Sequence, residues 1–375
     1  MTGRDFNKID NRIDNKRSKK MKCGNCRQEG HTKRTCTQPV HVEPTKAKKA
    51  AKPAKVEPAK VKPAKVEAAK KQENVIVKPP LKWVGGKTQI IDQVLALFPR
   101  TMKNYVEPFL GGGSVLLALL SMKQQDLIQI TGTIYASDMN PNTIGFYQNL
   151  QSHCEELVEE LKTIVGEYTA IDGTIVNRNA TEEEAKSSRE SYYYWIRSTF
   201  NALSQEDKVK PRGSAMLLFL NKTCFRGLYR QGPHGLNVPF EKQHQNPTIF
   251  EEAHLQQVSE LIQGVVFTCQ PFEALSAEEG DFVYMDPPYV PETAKSFVAY
   301  NADGFTRESH VALFELCHTL TGKKVRLLMS NADVPLVRET FLEPRYETQI
   351  IEVRRAIHSK KPGAKTNEVL ISNRT

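Results

Sequence analysis

The 375-residue sequence has no run of about 18 apolar residues, and its first twenty residues contain no apolar signal-peptide core. We therefore expect neither a membrane span nor an ordinary secretory leader. Cysteine is also scarce, with seven residues in all, of which three fall within fourteen positions near the N-terminus. The others are scattered, at Cys154, Cys224, Cys269 and Cys317. This pattern argues against a disulfide framework and indicates a reducing intracellular compartment, such as cytoplasm, nucleus or a viral replication site.

Acidic residues are few at the start of the chain, where residues 1–80 hold 22 Lys and Arg against 8 Asp and Glu. The other 295 residues hold 30 against 35, so the basic excess belongs to the first segment alone. We interpret residues 1–22 as disordered and residues 37–75, with their PAKVE-type repeats, as a Lys/Pro/Ala-rich linker. Such an arm suits non-specific binding to nucleic acid, although a linker that only aids solubility has the same composition.

The rest of the chain alternates apolar strand-like and helix-like segments, which predicts an α/β fold with a doubly wound sheet. Helices are expected at 88–98, at 114–120 with Ser114 as cap, and at 141–150. Strands are expected at 104–109, 133–138, 281–286 and 325–331. We assign 76–150 and 266–375 to a catalytic domain. Residues 151–265, mainly helical with a Gly/Pro-rich hairpin and a polar surface excursion at 165–190, form a predicted insert.

A glycine run, Gly111 to Gly113, lies between a predicted strand and the following helix. Glycines there allow the backbone to approach a ligand closely, and Asp138 ends the next strand, where a carboxylate can bind ribose hydroxyls. The pattern favours a nucleoside-type ligand, although a tight turn needs the same residues. The sequence lacks the strict GxGxxG spacing, which argues against NAD.

A second motif, Asp286-Pro287-Pro288-Tyr289, follows another predicted strand. The prolines fix the loop and leave carbonyls free to accept hydrogen bonds. Asp286 and a prolyl carbonyl could accept both hydrogens of an exocyclic amine, while Tyr289 stacks on the base. The alternative is a rigid turn at the end of a strand.

These motifs and their order give residues 81–375 a resemblance to the Dam-type adenine-N6 DNA methyltransferases. The matching segments are Leu81 to Lys87, Val106 to Val115, Ser137 to Asn140, Leu220 to Lys222, Gly227 to Arg230, Asn237 to Phe240, Val283 to Pro291, Ser330 to Asp333 and Val353 to Arg355. The resemblance implies a Rossmann-like methyltransferase sheet with a target-recognition insert.

The resemblance also implies site residues. Those expected to bind S-adenosylmethionine are Trp83, Lys87, Phe109, Gly111, Gly113, Asp138 and Asp286. The catalytic loop Asp286, Pro287, Pro288 and Tyr289 would hold an adenine flipped out of double-stranded DNA. Methyl transfer would be direct, and the sequence contains no Pro-Cys pair of the kind that cytosine-C5 enzymes use.

Target recognition, by the same resemblance, falls to Lys82, Phe225, Leu228, Arg230 and Pro239. An arginine can read guanine in the major groove, although Arg230 could instead clamp a phosphate. The chain departs from the family pattern at Arg226, at Tyr229 and in the polar stretch before residue 190. The resemblance nevertheless implies a GATC target.

The N-terminal cysteines belong to a Cys23-x2-Cys26-x4-His31-x4-Cys36 pattern, which resembles the zinc knuckle of retroviral nucleocapsid-like proteins. Three thiolates and one imidazole make a closed, structural Zn²⁺ site over residues 23–36. Nearby basic residues fit binding to nucleic acid. The usual stacking aromatic is missing between the ligands, so protein contacts remain an alternative.

The sequence thus predicts a monomeric adenine-N6 DNA methyltransferase with a basic arm. Methylation of exocyclic cytosine N4 or of adenine in RNA remains open at this point. A sequence-specific DNA-binding protein that has lost catalytic activity is also open, although the intact Asp286 loop and Asp138 argue against such a loss.

Overall fold

A computed structural model describes residues 75–179, 181–242, 248–291, 305–354 and 365–374. All of them belong to one compact unit, Lys71–Thr375. The segment 1–22, the zinc-knuckle segment 23–36 and all but the last residue of the linker 37–75 lie outside the described residues. Within the described ranges, no helix has the length and apolar character needed to cross a membrane.

The strands alternate with helices along the chain, as the apolar pattern predicts. The strands are β1 (Thr101–Met102), β2 (Tyr105–Glu107), β3 (Gln129–Ile130), β4 (Ile134–Asp138), β5 (Gln231–Gly232), β6 (Gly235–Leu236), β7 (Val265–Cys269), β8 (Phe282–Met285), β9 (Arg326–Ala332), β10 (Tyr346–Arg354) and β11 (Lys365–Asn373). The helices are α1 (Ile91–Ala96), α2 (Ser114–Gln124), α3 (Pro141–Ser152), α4 (Cys154–Ala170), α5 (Glu182–Ala185), α6 (Arg189–Ala202), α7 (Gln205–Lys208), α8 (Pro211–Thr223), α9 (Glu252–Leu261), α10 (Arg307–Gly322) and α11 (Pro335–Thr340).

Seven strands of the described residues form the main sheet, in the order β10-β11-β9-β8-β2-β4-β7. The five strands from β9 to β7 run parallel, and β11 pairs antiparallel with both β9 and β10. The chain builds outward from β2 through β4 to β7, then returns to add β8 on the other side of β2. This reversal opens a crevice at the carboxyl ends of β2 and β8, the usual ligand site of open α/β sheets.

The predicted mixed α/β architecture is therefore present, but the antiparallel β10–β11 pair was not predicted. The two strands pair over nine residues each, from Tyr346 opposite Asn373 to Arg354 opposite Lys365. Strand β11 carries a polar stretch at its start and turns apolar only at Val369, which is why it does not read as a buried strand in the sequence. It nevertheless lies beside β9 and brings Glu368 opposite Ala332.

Helix α2 is buried almost all round, with the helices α1 and α9 packed against it. Its start corrects one expectation: Ser114 is not the cap. Gly113 holds the N-cap position with φ +73°, and Ser114 is the first helical residue. The Ser114 hydroxyl instead accepts a hydrogen bond from the backbone N–H of Lys87, at 3.1 Å. The serine thus ties the residues before α1 to the glycine loop.

The polar stretch 165–190 is only partly the excursion that its composition suggested. Helix α4 continues to Ala170 because Leu161, Ile164 and Tyr168 keep helical spacing and are buried. After it, residues 171–179 lead toward the short α5. Helices α4, α6 and α8 pack together, and α9 packs on α2 and α3 as well as on α4. The predicted insert 151–265 therefore shares its core with the helices of the sheet, and its exact bounds stay a prediction.

Candidate active site

Three parallel strands deliver carboxyl groups to one edge of the sheet. Strand β2 ends at Glu107 and continues into the glycine loop, β4 ends at Asp138, and Asp286 comes directly after β8. Because β4 and β8 flank β2, these ends meet in the crevice at the reversal of strand order. The structure thus brings the two predicted motifs together.

The glycine loop is fastened to Asp138. The Gly111 N–H donates to Asp138 Oδ2 at 2.8 Å, and the Asn140 N–H donates to Oδ1 at 2.9 Å. Gly111, at φ +48°, lies so close to Trp83 that a Cβ there would be 2.8 Å from the indole. Burial raises the pKa of Asp138, and these backbone N–H groups oppose that rise. A carboxylate has about four acceptor positions, so these backbone bonds do not use all of them.

Asp286 is paired with Lys87. Lys87 Nζ lies 2.6 Å from Asp286 Oδ2 and donates at the same distance to the carbonyl oxygen of Gly85. Only 3% of the Lys87 side chain and 20% of the Asp286 side chain are exposed. Burial raises the pKa of Asp286, and the Lys87 ammonium is the main group that opposes it. The lysine therefore helps keep a nearly buried carboxylate ionised.

Tyr289 is held at both its ring and its hydroxyl. Lys87 Nζ lies 5.1 Å from the ring centroid, within the range of a cation–π contact. The hydroxyl donates to Glu368 Oε2 at 2.8 Å, and burial together with Asp286 raises the pKa of Tyr289 well above its usual value. A cavity of about 230 Å³ beside the ring is lined by Tyr289, Ala332, Asp333, Val334, Thr366, Asn367 and Glu368. Of the two prolines, Pro287 is buried and Pro288 is exposed.

Three polar residues of this region were not singled out from the sequence. Glu368 lies on the unpredicted strand β11. Asn331, on β9, accepts hydrogen bonds from the N–H groups of Val290 (3.1 Å) and Ala332 (2.8 Å), and so fixes the loop behind Tyr289. Glu107 is buried and accepts a hydrogen bond from the Tyr105 hydroxyl at 2.7 Å. Only Glu107 carried a usable signal, an acidic residue inside an apolar strand.

Burial raises the pKa of Glu107 to about 8, with the nearby Asp286 and Asp138 carboxylates adding to the effect. At neutral pH this side chain is therefore mainly protonated. The crevice also holds the carboxyl groups of Asp138 and Asp286 and the side-chain amine of Lys87. Acidic groups therefore outnumber basic ones here, which suits a ligand that carries positive charge.

The other predicted cofactor residues, Trp83, Phe109 and Gly113, surround the same loop. Trp83 packs on Gly111 and Gly112. Phe109 is half-buried and its ring lies 5.6 Å from that of Phe272. The glycine backbone, two large rings and the Asp138 carboxylate are the parts that a nucleoside with a sulfonium group would need, so the residues present fit S-adenosylmethionine.

The predicted DNA-contacting residues gather around the end of α8. The Phe225 N–H donates to the carbonyl of Pro239 at 2.8 Å, and both residues are exposed. Lys82 is exposed too, and its backbone N–H donates to Asn221 Oδ1 at 2.8 Å. Burial is the main reason that the pKa of Lys222 is lowered to about 8. The nearby Lys82 ammonium lowers it as well.

The remaining two, Leu228 and Arg230, belong to the segment that leads into the β5–β6 hairpin. Leu228 is half-buried against the main core. Arg230 is exposed, and its Nε donates to Asn237 Oδ1 at 2.6 Å while Nη2 donates to the Asn237 carbonyl at 3.0 Å. Asn237 thus holds the guanidinium alongside the hairpin. Between them, the ring of Tyr229 stacks on Trp83 with a centroid distance of 5.1 Å.

The predicted zinc ligands Cys23, Cys26, His31 and Cys36 lie outside the described residues. Across the described ranges, no group of three or more His, Cys, Asp or Glu side chains is arranged to hold a metal ion. The four cysteines there, Cys154, Cys224, Cys269 and Cys317, are free thiols.

The strand order defines an open α/β fold with a crevice at the carboxyl ends of β2 and β8, where such sheets usually bind their ligands. Comparison with known proteins narrows this class. Residues 83–358 match the family model described as D12 class N6 adenine-specific DNA methyltransferase. The chain is 34% identical over 265 residues to the type II methyltransferase M.MjaIII of Methanocaldococcus jannaschii, covering 68% of this chain and 84% of the relative. It is 30% identical over 283 residues to the DNA adenine methylase of Escherichia coli K12, covering 74% and 88%.

The chain belongs to the D12-class N6 adenine-specific DNA methyltransferase family. It is an enzyme that methylates the N6 amino group of adenine in DNA. This assignment decides against the alternatives of exocyclic cytosine N4 and of adenine in RNA. Methyl transfer of this kind implies S-adenosylmethionine as the donor, and double-stranded DNA is the substrate of such enzymes.

Proposed function

We propose that the enzyme methylates adenine within GATC sites and that Asp286, Pro287, Pro288 and Tyr289 form its catalytic loop. The observation that carries the catalytic part of this proposal is the Lys87–Asp286 pair, with 2.6 Å between Nζ and Oδ2. It places a carboxyl acceptor at the end of β8, beside the lysine that opposes the rise of its pKa on burial, in the crevice that also holds the glycine loop.

The chemistry requires a better nucleophile than adenine normally offers, because the N6 lone pair is delocalised into the ring. Asp286 and the carbonyl of Pro287 accept hydrogen bonds from the two amino hydrogens and draw the nitrogen toward tetrahedral geometry. S-adenosylmethionine supplies a methyl group on a positively charged sulfur. Positioning in line with that group provides most of the acceleration. N6 must then lose one proton, and Asp286, whose pKa is raised by burial, is placed to accept it.

Each residue of the cofactor site is proposed to contact the part of S-adenosylmethionine that suits its chemistry. Asp138 accepts from the ribose hydroxyls, the Gly111 and Gly113 backbone permits close approach, and Trp83 and Phe109 provide apolar surface. Lys87 and Asp286 close the other end of the site. The excess of acidic over basic groups in the crevice favours the cationic donor over its neutral thioether product.

The target adenine must leave the duplex, at a cost of roughly a few kcal/mol. Tyr289 is proposed to offset part of this cost by stacking on the base. The hydrogen bond from its hydroxyl to Glu368 restrains the ring, so less side-chain freedom is lost when the base arrives. Glu368 is thus a positioning residue for the stacking ring.

Sequence reading is proposed to come from Lys82 and Arg230, with Phe225, Leu228 and Pro239 beside the extruded base. Arg230 can engage guanine O6 and N7 in a bidentate manner. Its present bonds to Asn237 orient the guanidinium and would be exchanged for bonds to the base.

For the N-terminal segment we infer a single structural Zn²⁺ held by Cys23, Cys26, His31 and Cys36. The basic residues of 1–75 are proposed to bind phosphates without reading sequence. We further propose that the enzyme acts as a monomer, which analytical ultracentrifugation with and without a duplex would test.

The test of the catalytic assignment is Asp286→Asn, an isosteric change that removes the negative acceptor. With a GATC duplex and saturating tritiated S-adenosylmethionine, methyl transfer should fall by more than tenfold in a folded protein. Asp92→Asn, at an exposed site on α1, is the matched control and should retain wild-type activity. Retention of more than a tenth of the wild-type kcat in Asp286→Asn would overturn the assignment. Base-resolution mapping of methylated plasmid tests the GATC target separately.

A further inference from the structure

Tyr229 occupies an unusual place between the two proposed binding regions. In the chain it lies between Leu228 and Arg230, which belong to the proposed DNA-reading segment. In space its ring stacks on Trp83, with centroids 5.1 Å apart and planes inclined by 29°. Trp83 in turn packs on Gly111 and Gly112 of the cofactor loop. A single stacked pair therefore separates the DNA-reading segment from the cofactor loop.

The hydroxyl of Tyr229 reaches a second part of the cofactor site. Asn142 Nδ2 donates to it at 3.0 Å, and it donates to Asn140 Oδ1 at 3.4 Å. The Asn140 side chain also caps α3, and the Asn140 N–H donates to Asp138 Oδ1. The chain of contacts thus ends on the carboxylate proposed to hold the ribose. Burial raises the pKa of Tyr229, so the hydroxyl keeps the proton that it donates.

The side chain of Asn221, on α8, links the segment around Trp83 to the segment around Tyr229 through hydrogen bonds. Asn221 is buried, accepts from the Lys82 N–H at 2.8 Å, and donates through Nδ2 to the carbonyls of Lys82 (2.9 Å) and Gly227 (3.3 Å). Gly227, at φ +64°, lies against the Lys82 side chain so closely that a Cβ would be 2.6 Å from its Cβ. Lys82 and Gly227 are therefore joined both by the Asn221 side chain and by direct packing.

We propose that Tyr229 is the positioning residue that couples DNA reading to cofactor binding. The proposal rests on the function proposed above, in which Arg230 contacts DNA and Trp83 and Asp138 contact the cofactor. DNA that fixes the segment around Arg230 fixes the Tyr229 ring and hydroxyl, and with them Trp83 and the Asn140–Asp138 pair. A cofactor then binds a site that is already ordered. By linkage, the cofactor must tighten DNA binding by the same factor.

Both the ring and the hydroxyl of Tyr229 take part in the proposed coupling. Removing the ring breaks the stack, whereas removing only the oxygen breaks the bonds to Asn140 and Asn142.

The experiment measures a coupling factor for the full-length enzyme. The dissociation constant of S-adenosylhomocysteine, which cannot react, is measured by calorimetry with and without a GATC duplex. The dissociation constant of the duplex is measured by fluorescence anisotropy with and without S-adenosylhomocysteine. Both ratios are obtained for wild type, Tyr229→Phe and Tyr229→Leu. Tyr135→Leu, on the exposed face of β4, is the matched control.

We expect a wild-type factor of about tenfold, within the usual range for coupled sites. The factor should fall below twofold in Tyr229→Leu and below half the wild-type value in Tyr229→Phe, and stay unchanged in Tyr135→Leu. A wild-type factor of one, or an unchanged factor in Tyr229→Leu, overturns the proposal. If the leucine variant does not fold, the phenylalanine variant decides, and a factor above half the wild-type value overturns it. Failure of wild type to bind S-adenosylhomocysteine at all would instead overturn the proposed cofactor site.

Discussion

Replacing Lys87 by Met should make the stability and the activity of the enzyme respond to pH in opposite directions. The substitution removes the ammonium that lies 2.6 Å from Asp286 Oδ2 and keeps a side chain of similar length in a nearly closed site. The pKa of Asp286 is already raised by burial, and Lys87 is the main group that opposes this rise. Without the lysine the pKa of Asp286 must rise further.

The size of the effect follows from the geometry. Two unit charges 2.6 Å apart attract by about 6 kcal/mol at an effective dielectric constant of roughly 20. The cost of burying both ions offsets part of this attraction, so loss of one partner should destabilise the protein by about 3–5 kcal/mol. The melting temperature should then fall by on the order of 10 °C where Asp286 is ionised.

Stability and activity should respond to pH in opposite directions because both depend on whether Asp286 is protonated. When folding raises the pKa of a group, that group stabilises the folded state at pH values below its unfolded pKa. This stabilisation is lost as pH rises through the folded pKa. The stability deficit of Lys87→Met should therefore grow as pH increases. Activity needs the ionised carboxylate, so kcat should be lowest in acid, about 10²–10³-fold below wild type, and recover partly as pH increases.

The assay is a single-turnover rate at saturating S-adenosylmethionine between pH 5.5 and 9, with the melting temperature measured at each pH. Lys103→Met, which removes an exposed ammonium 3.7 Å from Glu278, is the control and should follow wild type in both measurements. Superimposable pH profiles for Lys87→Met and wild type would refute the reasoning, because Lys87 would then have no influence on the ionisation of Asp286.

Four further outcomes are expected. Asp138→Ala should weaken S-adenosylmethionine binding by about 1–3 kcal/mol in a calorimetric titration, and an unchanged affinity would remove Asp138 from the site. Because the pKa of Glu107 is raised from its ordinary 4.5 to about 8, wild type should lose stability as pH rises from about 4.5 to 8, whereas Glu107→Gln should not; parallel melting curves would contradict this. A Cys26→Ser, Cys36→Ser double variant should lose one Zn²⁺ yet methylate short duplexes normally, and metal analysis that still finds stoichiometric zinc would reject the ligand set. Deleting residues 1–75 should raise KM for long DNA at low salt and flatten the salt dependence without changing the modified sites; a changed set of sites would mean that the arm reads sequence.

Much of the active site could be predicted because its parts are contiguous in the chain. The glycine loop follows β2 directly, and the Asp286 loop follows β8 directly, so each motif could be placed at the end of a strand from local sequence. Parallel strands place their carboxyl ends at one edge, which made it reasonable to group Asp138 with both loops. The α/β class followed from the same alternation of strands and helices.

Predictions from local sequence were wrong where a contact with a distant part of the chain determined the conformation of a residue. Ser114 has the composition of a helix cap, yet its hydroxyl accepts from Lys87 and Gly113 takes the cap position. Strand β11 begins with polar residues, so its period gave no sign of a strand, and its place beside β9 depends on pairing with a strand more than thirty residues earlier in the chain.

The amino-acid sequence by itself determined the fold class, the order of the motifs and the residue types that are proposed to meet the cofactor and the base. Only the tertiary structure decided which of these residues touch. Lys87 and Asp286 are 199 residues apart in the chain, Tyr289 and Glu368 are 79 apart, and Tyr229 and Asn142 are 87 apart. Contacts over such separations depend on strand order and on the packing of helices across the sheet. No local preference of the chain encodes them, because they come from burying the apolar faces of all these elements in one core.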